Sequence, residues 1–250
     1  MYNFFADENA RHNNSFFITG TDYNHIKNVL RMKIGDVFLV SYENSGHLCR
    51  LEKIEEGRIT ATIIEENYNN TDLPINIYLF QGLPKSDKME FIIQKAVELG
   101  AAGIIPTEMT NCVVSLDAKR KKTKRERWKA ISESAAKQSK RNFVPEVFDV
   151  LSYQDALKKA SDFDLILLPF ESETGMISTK NALKKLRKGM SIGIFIGPEG
   201  GFTQKEISLA KQAGAEIVSL GKRILRTETA AITAIGMCML YAEMNLEGEI

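Results

Sequence analysis

Hydrophobic spacing changes period once along this 250-residue chain, across residues 67–74, and one layer architecture cannot serve both sides of that change. Before it, residues 36–42, 46–54 and 58–65 are short runs rich in Val, Ile, Leu, Phe and Thr. They are broken by the turn sequences Asn44-Ser45-Gly46 and Glu55-Glu56-Gly57. This pattern predicts a small β-barrel or sandwich. Ile26, Val29 and Leu30 at helical spacing behind Thr21 or Asp22 predict one helix over 22–32. The stretch Asn67-Tyr68-Asn69-Asn70-Thr71-Asp72-Leu73-Pro74 is polar, turn-rich and closed by proline, as a linker is. The expected domains are therefore 1–70 and 74–250.

Past Pro74 strands and helices alternate. Strands are expected at 75–81, 103–107, 165–169, 191–196 and 216–220, with helices at 87–99, 124–137, 153–160, 180–186, 204–213 and 228–243. In the first of these helices Met89, Ile92, Ile93, Ala96 and Val97 share one face, and Gly100 ends it. Such alternation predicts an α/β domain with a mainly parallel sheet covered on both faces.

Bulk properties exclude more than they assign. Lys+Arg 33 against Asp+Glu 32 leaves a formal charge of +1, so nucleic-acid attraction must come from a local patch. Cys49, Cys112 and Cys238 form no CxxC pair, and three scattered histidines, His12, His25 and His47, do not complete a zinc site. Reduced thiols and no metal are expected. Residues 1–10 lack the basic-then-apolar pattern of a secretory leader, and no apolar run reaches the roughly 18 residues of a membrane helix. A cytoplasmic protein without membrane attachment is the expectation.

Three segments carry chemistry. In Ile194-Phe195-Ile196-Gly197-Pro198-Glu199-Gly200-Gly201-Phe202-Thr203 an apolar strand runs into a turn of three glycines, and Thr203 with Glu206 forms a capping box for the next helix. Glycines at the carboxyl end of a strand let backbone press against a flat ligand. The same residues would also serve a tight connection that needs glycine only for its dihedrals. Neither a dinucleotide fingerprint nor a P-loop is present. In Leu220-Gly221-Lys222-Arg223-Ile224-Leu225-Arg226-Thr227-Glu228-Thr229-Ala230-Ala231, two arginines precede a helix start and suit phosphate or carboxylate recognition. An ordinary capped helix with solvated arginines reads the same way. The third segment is the basic run Lys119, Arg120, Lys121, Lys122, Lys124, Arg125, Arg127 and Lys129, extended by Lys137, Lys140 and Arg141. It is a phosphate-backbone footprint or a solvated helix face. Trp128 within it falls at core spacing with Ile131 and Ala135.

Taken together, the GPEGG turn and the LGKRILRTETA segment resemble the RsmE family of 16S rRNA (uridine-N3) methyltransferases, in the SPOUT superfamily. Supporting matches run through His25-Ile26-Lys27-Asn28-Val29-Leu30-Arg31, Lys88-Met89-Glu90, Gln94-Lys95-Ala96-Val97-Glu98-Leu99-Gly100, Gln138, Arg141-Asn142 and Val144-Pro145-Glu146. Lys137 departs from the family, many of whose members carry an acidic residue there. The resemblance implies an N-terminal PUA-like barrel, a C-terminal domain with a deep trefoil knot, a homodimer, S-adenosyl-L-methionine as cofactor, and 16S rRNA or the small ribosomal subunit as partner. It places the donor against Leu168, Pro169, Phe170, Ile196, Gly197, Pro198, Glu199, Gly200, Gly201, Leu220, Gly221, Arg223, Ile224, Leu225 and Thr227. Arg226 is the expected catalytic cation, with Glu228 a base or orienting group. RNA contacts are expected from Arg11, Arg31, Lys121, Lys122, Arg125 and Arg141. A non-catalytic RNA-binding protein could use the same barrel and basic run, and a dinucleotide enzyme would lack its fingerprint.

Overall fold

The computed structural model describes every residue except Asn69, 171–174 and 247–250, so Asn69 of the expected linker lies outside the described residues. The chain forms two compact units: Met1–Asp72 with Ala136–Val144, and Leu73–Ala135 with Pro145–Ile250.

The first unit is a six-stranded sheet in the order β1-β4-β5-β6-β3-β2. Its strands are β1 (Asn3–Phe5), β2 (Arg11–His12), β3 (Ser15–Ile18), β4 (Val37–Tyr42), β5 (Ser45–Glu55) and β6 (Arg58–Glu65). Only β1 with β4 is parallel; the other neighbours are antiparallel. Period-2 alternation does the sorting: Ile59, Ala61 and Ile63 of β6 are buried with Phe16, Phe38 and Leu51 in one core. The β4–β5 connection is a two-residue hairpin, and Glu43 and Asn44 take φ of 49° and 58°, the left-handed pair such a turn needs.

The expected helix at 22–32 is instead a short helix α1 (Gly20–Asn24) followed by a π-helical turn over His25–Val29. The wider turn alters the 3.6-residue spacing, so Ile26 is fully buried while Val29 is 70% exposed. Residues 136–144 also differ from expectation, since they pack with the first unit. Asn3 Nδ2 and Ser41 Oγ both donate to the Arg141 carbonyl, at 3.1 and 3.2 Å. The Arg141 guanidinium lies 3.4 Å from Asp72 and 4.6 Å from the Phe143 ring centroid.

The second unit is a parallel sheet in the order β10-β8-β7-β12-β11-β13, with β9 paired to β8. The elements are β7 (Asn76–Gly82), α2 (Lys88–Glu98), β8 (Gly103–Glu108), α3 (Ala118–Ser139), β9 (Glu146–Val147), β10 (Leu151–Ser152), α4 (Tyr153–Ala160), β11 (Leu165–Pro169), α5 (Ile177–Leu183), β12 (Ser191–Ile196), α6 (Gln204–Gln212), β13 (Glu216–Val218) and α7 (Thr227–Leu246). Central strands are buried on both faces and read as near-continuous apolar runs, as in Ile192, Ile194, Phe195 and Ile196 of β12. Phe80 of β7 stacks on Phe195 at 4.4 Å, so adjacent strands share one aromatic layer. Trp128 of α3 is 3% exposed, as its spacing implied.

Helix α7 is long and apolar enough, by length and composition, to cross a membrane. Here it packs on α2, β7 and β12 through a stripe that includes Ala231, Ala234, Ile235 and Cys238. Burial pushes the thiols of Cys49 and Cys238 up to about 12, which keeps both protonated and unreactive.

Candidate active site

The carboxyl ends of β11 and β12 and the segments that leave β12 and β13 enclose a cavity of about 580 Å³, a size typical of small-molecule sites. Its wall contains Pro169, Phe170, Ile196, Gly197, Pro198, Glu199, Gly200, Gly201, Leu220, Gly221, Arg223, Ile224, Leu225, Arg226 and Thr227. Two segments named from sequence are thus brought together with the end of β11. The walls meet because Phe170 N–H donates to the Val218 carbonyl at 3.0 Å and Thr179 Oγ1 donates to the Ser219 carbonyl at 2.6 Å.

The glycine turn is braced from outside its own strand. Asn111 Nδ2 donates to the Gly200 and Gly201 carbonyls at 3.0 and 3.1 Å, and a Cβ on Gly200 would stand 2.8 Å from Asn111 Cβ. Glycine is required at 200 by that close approach. Gly201 and Gly221 take φ of +66° and +106°, and a Cβ on either would meet no atom within 4 Å, so open space lies over both. The capping box forms as expected, and Glu206 accepts in addition from Thr110 N and Oγ1 at 2.8 and 3.0 Å. Burial pushes the Glu206 carboxyl up, but the donors from Thr110 and Thr203 outweigh it and hold it below its usual value.

Thr227 closes the ring of contacts. Its hydroxyl donates to the Gly197 carbonyl at 2.6 Å and accepts from Gln81 Nε2 at 2.9 Å, and the residue is 5% exposed. It is a strut between the two segments, with no hydroxyl hydrogen to spare. Lys88, at the start of α2, pairs with Glu199 at 3.0 Å and Glu228 at 3.4 Å. The Glu199 hydrogen bond holds the ammonium above its usual value. For Glu199, burial acts upward but is exceeded by Lys88 and the Lys85 N–H, leaving it depressed.

Not every residue singled out from sequence lines the cavity. Leu168 is fully buried behind the wall, and Glu228 touches Lys88 without lining the cavity. Arg226 is exposed at the rim. Arg31 is exposed with φ of 52°, and Arg11 pairs with Glu66. In the basic run, Lys121 pairs with Glu108 at 2.7 Å, and Arg125 donates to the Val147 carbonyl and pairs with Asp149, each at 3.0 Å, so part of that charge is spent internally. Lys122 is exposed and carries no ion pair among the described residues. Arg141 is corrected: at 3% exposure it is a buried structural cation and presents no guanidinium to a phosphate. Lys137 pairs with Asp22 at 3.0 Å. Among the described residues no cluster of three or more His, Cys, Asp or Glu side chains is placed to hold a metal.

Sequence reasoning missed Lys88, Gln81, Thr110 and Asn111. A usable signal existed for three of them, because Gln81, Thr110 and Asn111 lie at or just past the carboxyl ends of β7 and β8, where open α/β sheets place ligand sites.

Residues 71–239 match the RNA methyltransferase domain family, and residues 18–64 match the RNA methyltransferase PUA domain family. The class is therefore a two-part RNA methyltransferase with a PUA-like N-terminal domain. The ribosomal RNA small subunit methyltransferase E of Bacillus subtilis is 42% identical, over 92% of this chain and 91% of its own, and that of Mesomycoplasma hyopneumoniae is 36% identical over 96% and 99%. A crystal structure of the Neisseria gonorrhoeae ribosomal RNA small subunit methyltransferase E bound to S-adenosylmethionine superposes with a TM-score of 0.81 at 33% identity. It covers 94% of this chain and 95% of that one. The chain belongs to the ribosomal RNA small subunit methyltransferase E family.

Proposed function

We propose that the chain is an S-adenosylmethionine-dependent methyltransferase that modifies N3 of a uridine in 16S rRNA, acting in the cytoplasm on the small ribosomal subunit. The observation that carries this reading is the cavity walled by the glycine turn and the 219–226 segment. Its volume suits a nucleoside-sized ligand, and the space over Gly201 and Gly221 is left open where any other residue would project a side chain. Those residues fit the donor: backbone of 197–201 and 220–225 with Pro169 and Phe170 would cradle it.

When bound, S-adenosylmethionine supplies an electrophilic methyl group on a sulfonium, and the transfer exchanges a carbon–sulfur bond for a carbon–N3 bond as the N3 proton passes to solvent. The protein's part is placement and charge. Arg226 at the rim would stabilise negative charge on the uracil carbonyls as that proton leaves, and Glu228 would orient the start of α7. The first unit, with Arg11 and Arg31, and exposed Lys122 of α3 would hold RNA.

Two finer features belong to the same reading. A trefoil knot is supported by the path of the chain: β13 lies at the sheet edge, and the following segment returns to α7, which packs on β7 and β12 and is tied by Thr227 to Gly197. A homodimer is supported by the outer side of α7, where Leu240 and Met244 are 51% and 73% exposed.

The test uses labelled donor and small ribosomal subunits from cells lacking the enzyme, with the methylated nucleoside mapped by mass spectrometry. A single 3-methyluridine in 16S rRNA is expected, with Arg226→Ala slowing its formation at saturating RNA. Methylation of another base or atom, or none, overturns the reading.

A further inference from the structure

Three elements converge on one ammonium beside the cavity. Lys88 projects from the first turn of α2, Glu199 from the glycine turn and Glu228 from the first turn of α7. The three side chains are 32%, 25% and 17% exposed, so the charges are partly withdrawn from water and interact more strongly than surface pairs. Glu199 Oε1 accepts from both Lys88 Nζ and the Lys85 N–H, whereas Glu228 Oε2 is buried and, among the described residues, accepts no hydrogen bond, so its contact with Lys88 is the longer ion pair of 3.4 Å. Two carboxylates and one ammonium leave this cluster with one net negative charge, while Arg223 and Arg226 line other parts of the same cavity.

That balance matters because the two reactants have opposite signs. The donor brings a cationic sulfonium, and the uracil becomes anionic as N3 loses its proton. Carboxylates beside the cavity attract the first and repel the second. We propose that Lys88 is a positioning residue for methyl transfer: by binding Glu199 and Glu228 together it limits the negative charge that this cluster presents to the cavity, so the two carboxylates favour the cationic donor without cancelling what Arg223 and Arg226 offer the anionic acceptor. The role is exerted through the two glutamates and rests on the methyltransferase reading above.

The experiment compares wild type, Lys88→Met and Lys88→Arg. Calorimetry measures affinity for S-adenosylmethionine and for S-adenosylhomocysteine, whose sulfur is neutral, and single-turnover methylation of small subunits is followed across pH. In Lys88→Met the affinity ratio should move at least about threefold toward the cationic ligand. The rising limb of the pH–rate profile should move up about one unit, which slows transfer about tenfold at neutral pH. Lys88→Arg should restore both.

A latch without an electrostatic role would weaken both ligands alike and leave the limb in place, and that result overturns the proposal, as does a Lys88→Arg no better than Lys88→Met. Should Lys88→Met lose its circular dichroism signature, Lys88→Gln takes its place under the same criteria. Wild type that binds neither ligand would overturn the methyltransferase reading itself, which the variant comparison alone cannot do.

Discussion

Thr227→Val removes one oxygen and keeps the shape, so it isolates the strut that joins the glycine turn to the last helix. The lost hydroxyl makes two hydrogen bonds, to the Gly197 carbonyl at 2.6 Å and from Gln81 Nε2 at 2.9 Å. Each is worth about 1 kcal/mol net, and the part-buried Gly197 carbonyl left without its donor adds up to about 1 kcal/mol. Gln81 Nε2 keeps its bond to the Gly82 carbonyl at 2.9 Å, so its loss is partial. The sum is about 2–3 kcal/mol. Trp128 is the only tryptophan and lies in the second unit, so its fluorescence in a urea titration reports the unit in question. With m values of about 2 kcal/mol per molar, the midpoint should fall by about 1 M at constant slope. Thr227→Ser, which keeps the hydroxyl and loses a methyl, should cost about 1 kcal/mol. Because the Gly197 turn loses its tie, donor affinity should fall in the valine variant and hold in the serine variant. Pairing the change with Gln81→Leu should give a non-additive cycle. A midpoint shift no larger than that of Thr227→Ser, or strict additivity with Gln81→Leu, would refute the strut.

Two further outcomes follow from groups outside the cavity. Burial, aided by the Arg11 charge, holds His47 below its usual value of 6.5, so as pH falls through that value the unfolded chain binds the proton first and native stability declines. Thermal melts should lose up to about 1.4 kcal/mol per pH unit there, and His47→Leu should flatten that slope; an unchanged slope counts against it. Along α3, reversing exposed Lys122 with Lys119 should weaken RNA binding and lower its salt dependence, whereas reversing Lys121 should mainly cost stability, because its charge already faces Glu108 at 2.7 Å. Equal effects on RNA affinity from both changes would show that internal pairing does not sort these charges.

The parallel sheet was legible because each central strand announces itself locally: Ile192 to Ile196 is apolar on both faces, and glycine and a capping box follow at once. The first unit was less so. Its strands β1, β2 and β3 are two to four residues long, too short for alternation to be distinguished from chance, and β1 is held by parallel pairing to β4 more than thirty residues away. The π-helical turn at His25–Val29 defeats a 3.6-residue template by construction, so Val29, whose spacing points inward, lies outside. In α3 the sequence showed a dense positive charge, but Glu108, Asp149 and Glu90, which face Lys121, Arg125 and Arg127, come from other elements.

The same division separates what was readable in the site from what was not. A glycine turn is a property of five adjacent residues, whereas the contacts that fix it come from Asn111, 89 positions away from Gly200, and from Gln81, 146 positions away from Thr227. Arg141 makes the point in the other direction. Its place in a basic run argued for the surface, but its carbonyl accepts from Asn3, 138 positions distant, and its cation lies between Asp72 and Phe143 inside the first unit. Breaking a buried pair of this kind leaves an uncompensated charge, which is far more costly than losing a solvated arginine. A local pattern can show that a residue is charged, but whether that charge meets water, a ligand or a buried partner depends on which distant segments the topology brings beside it.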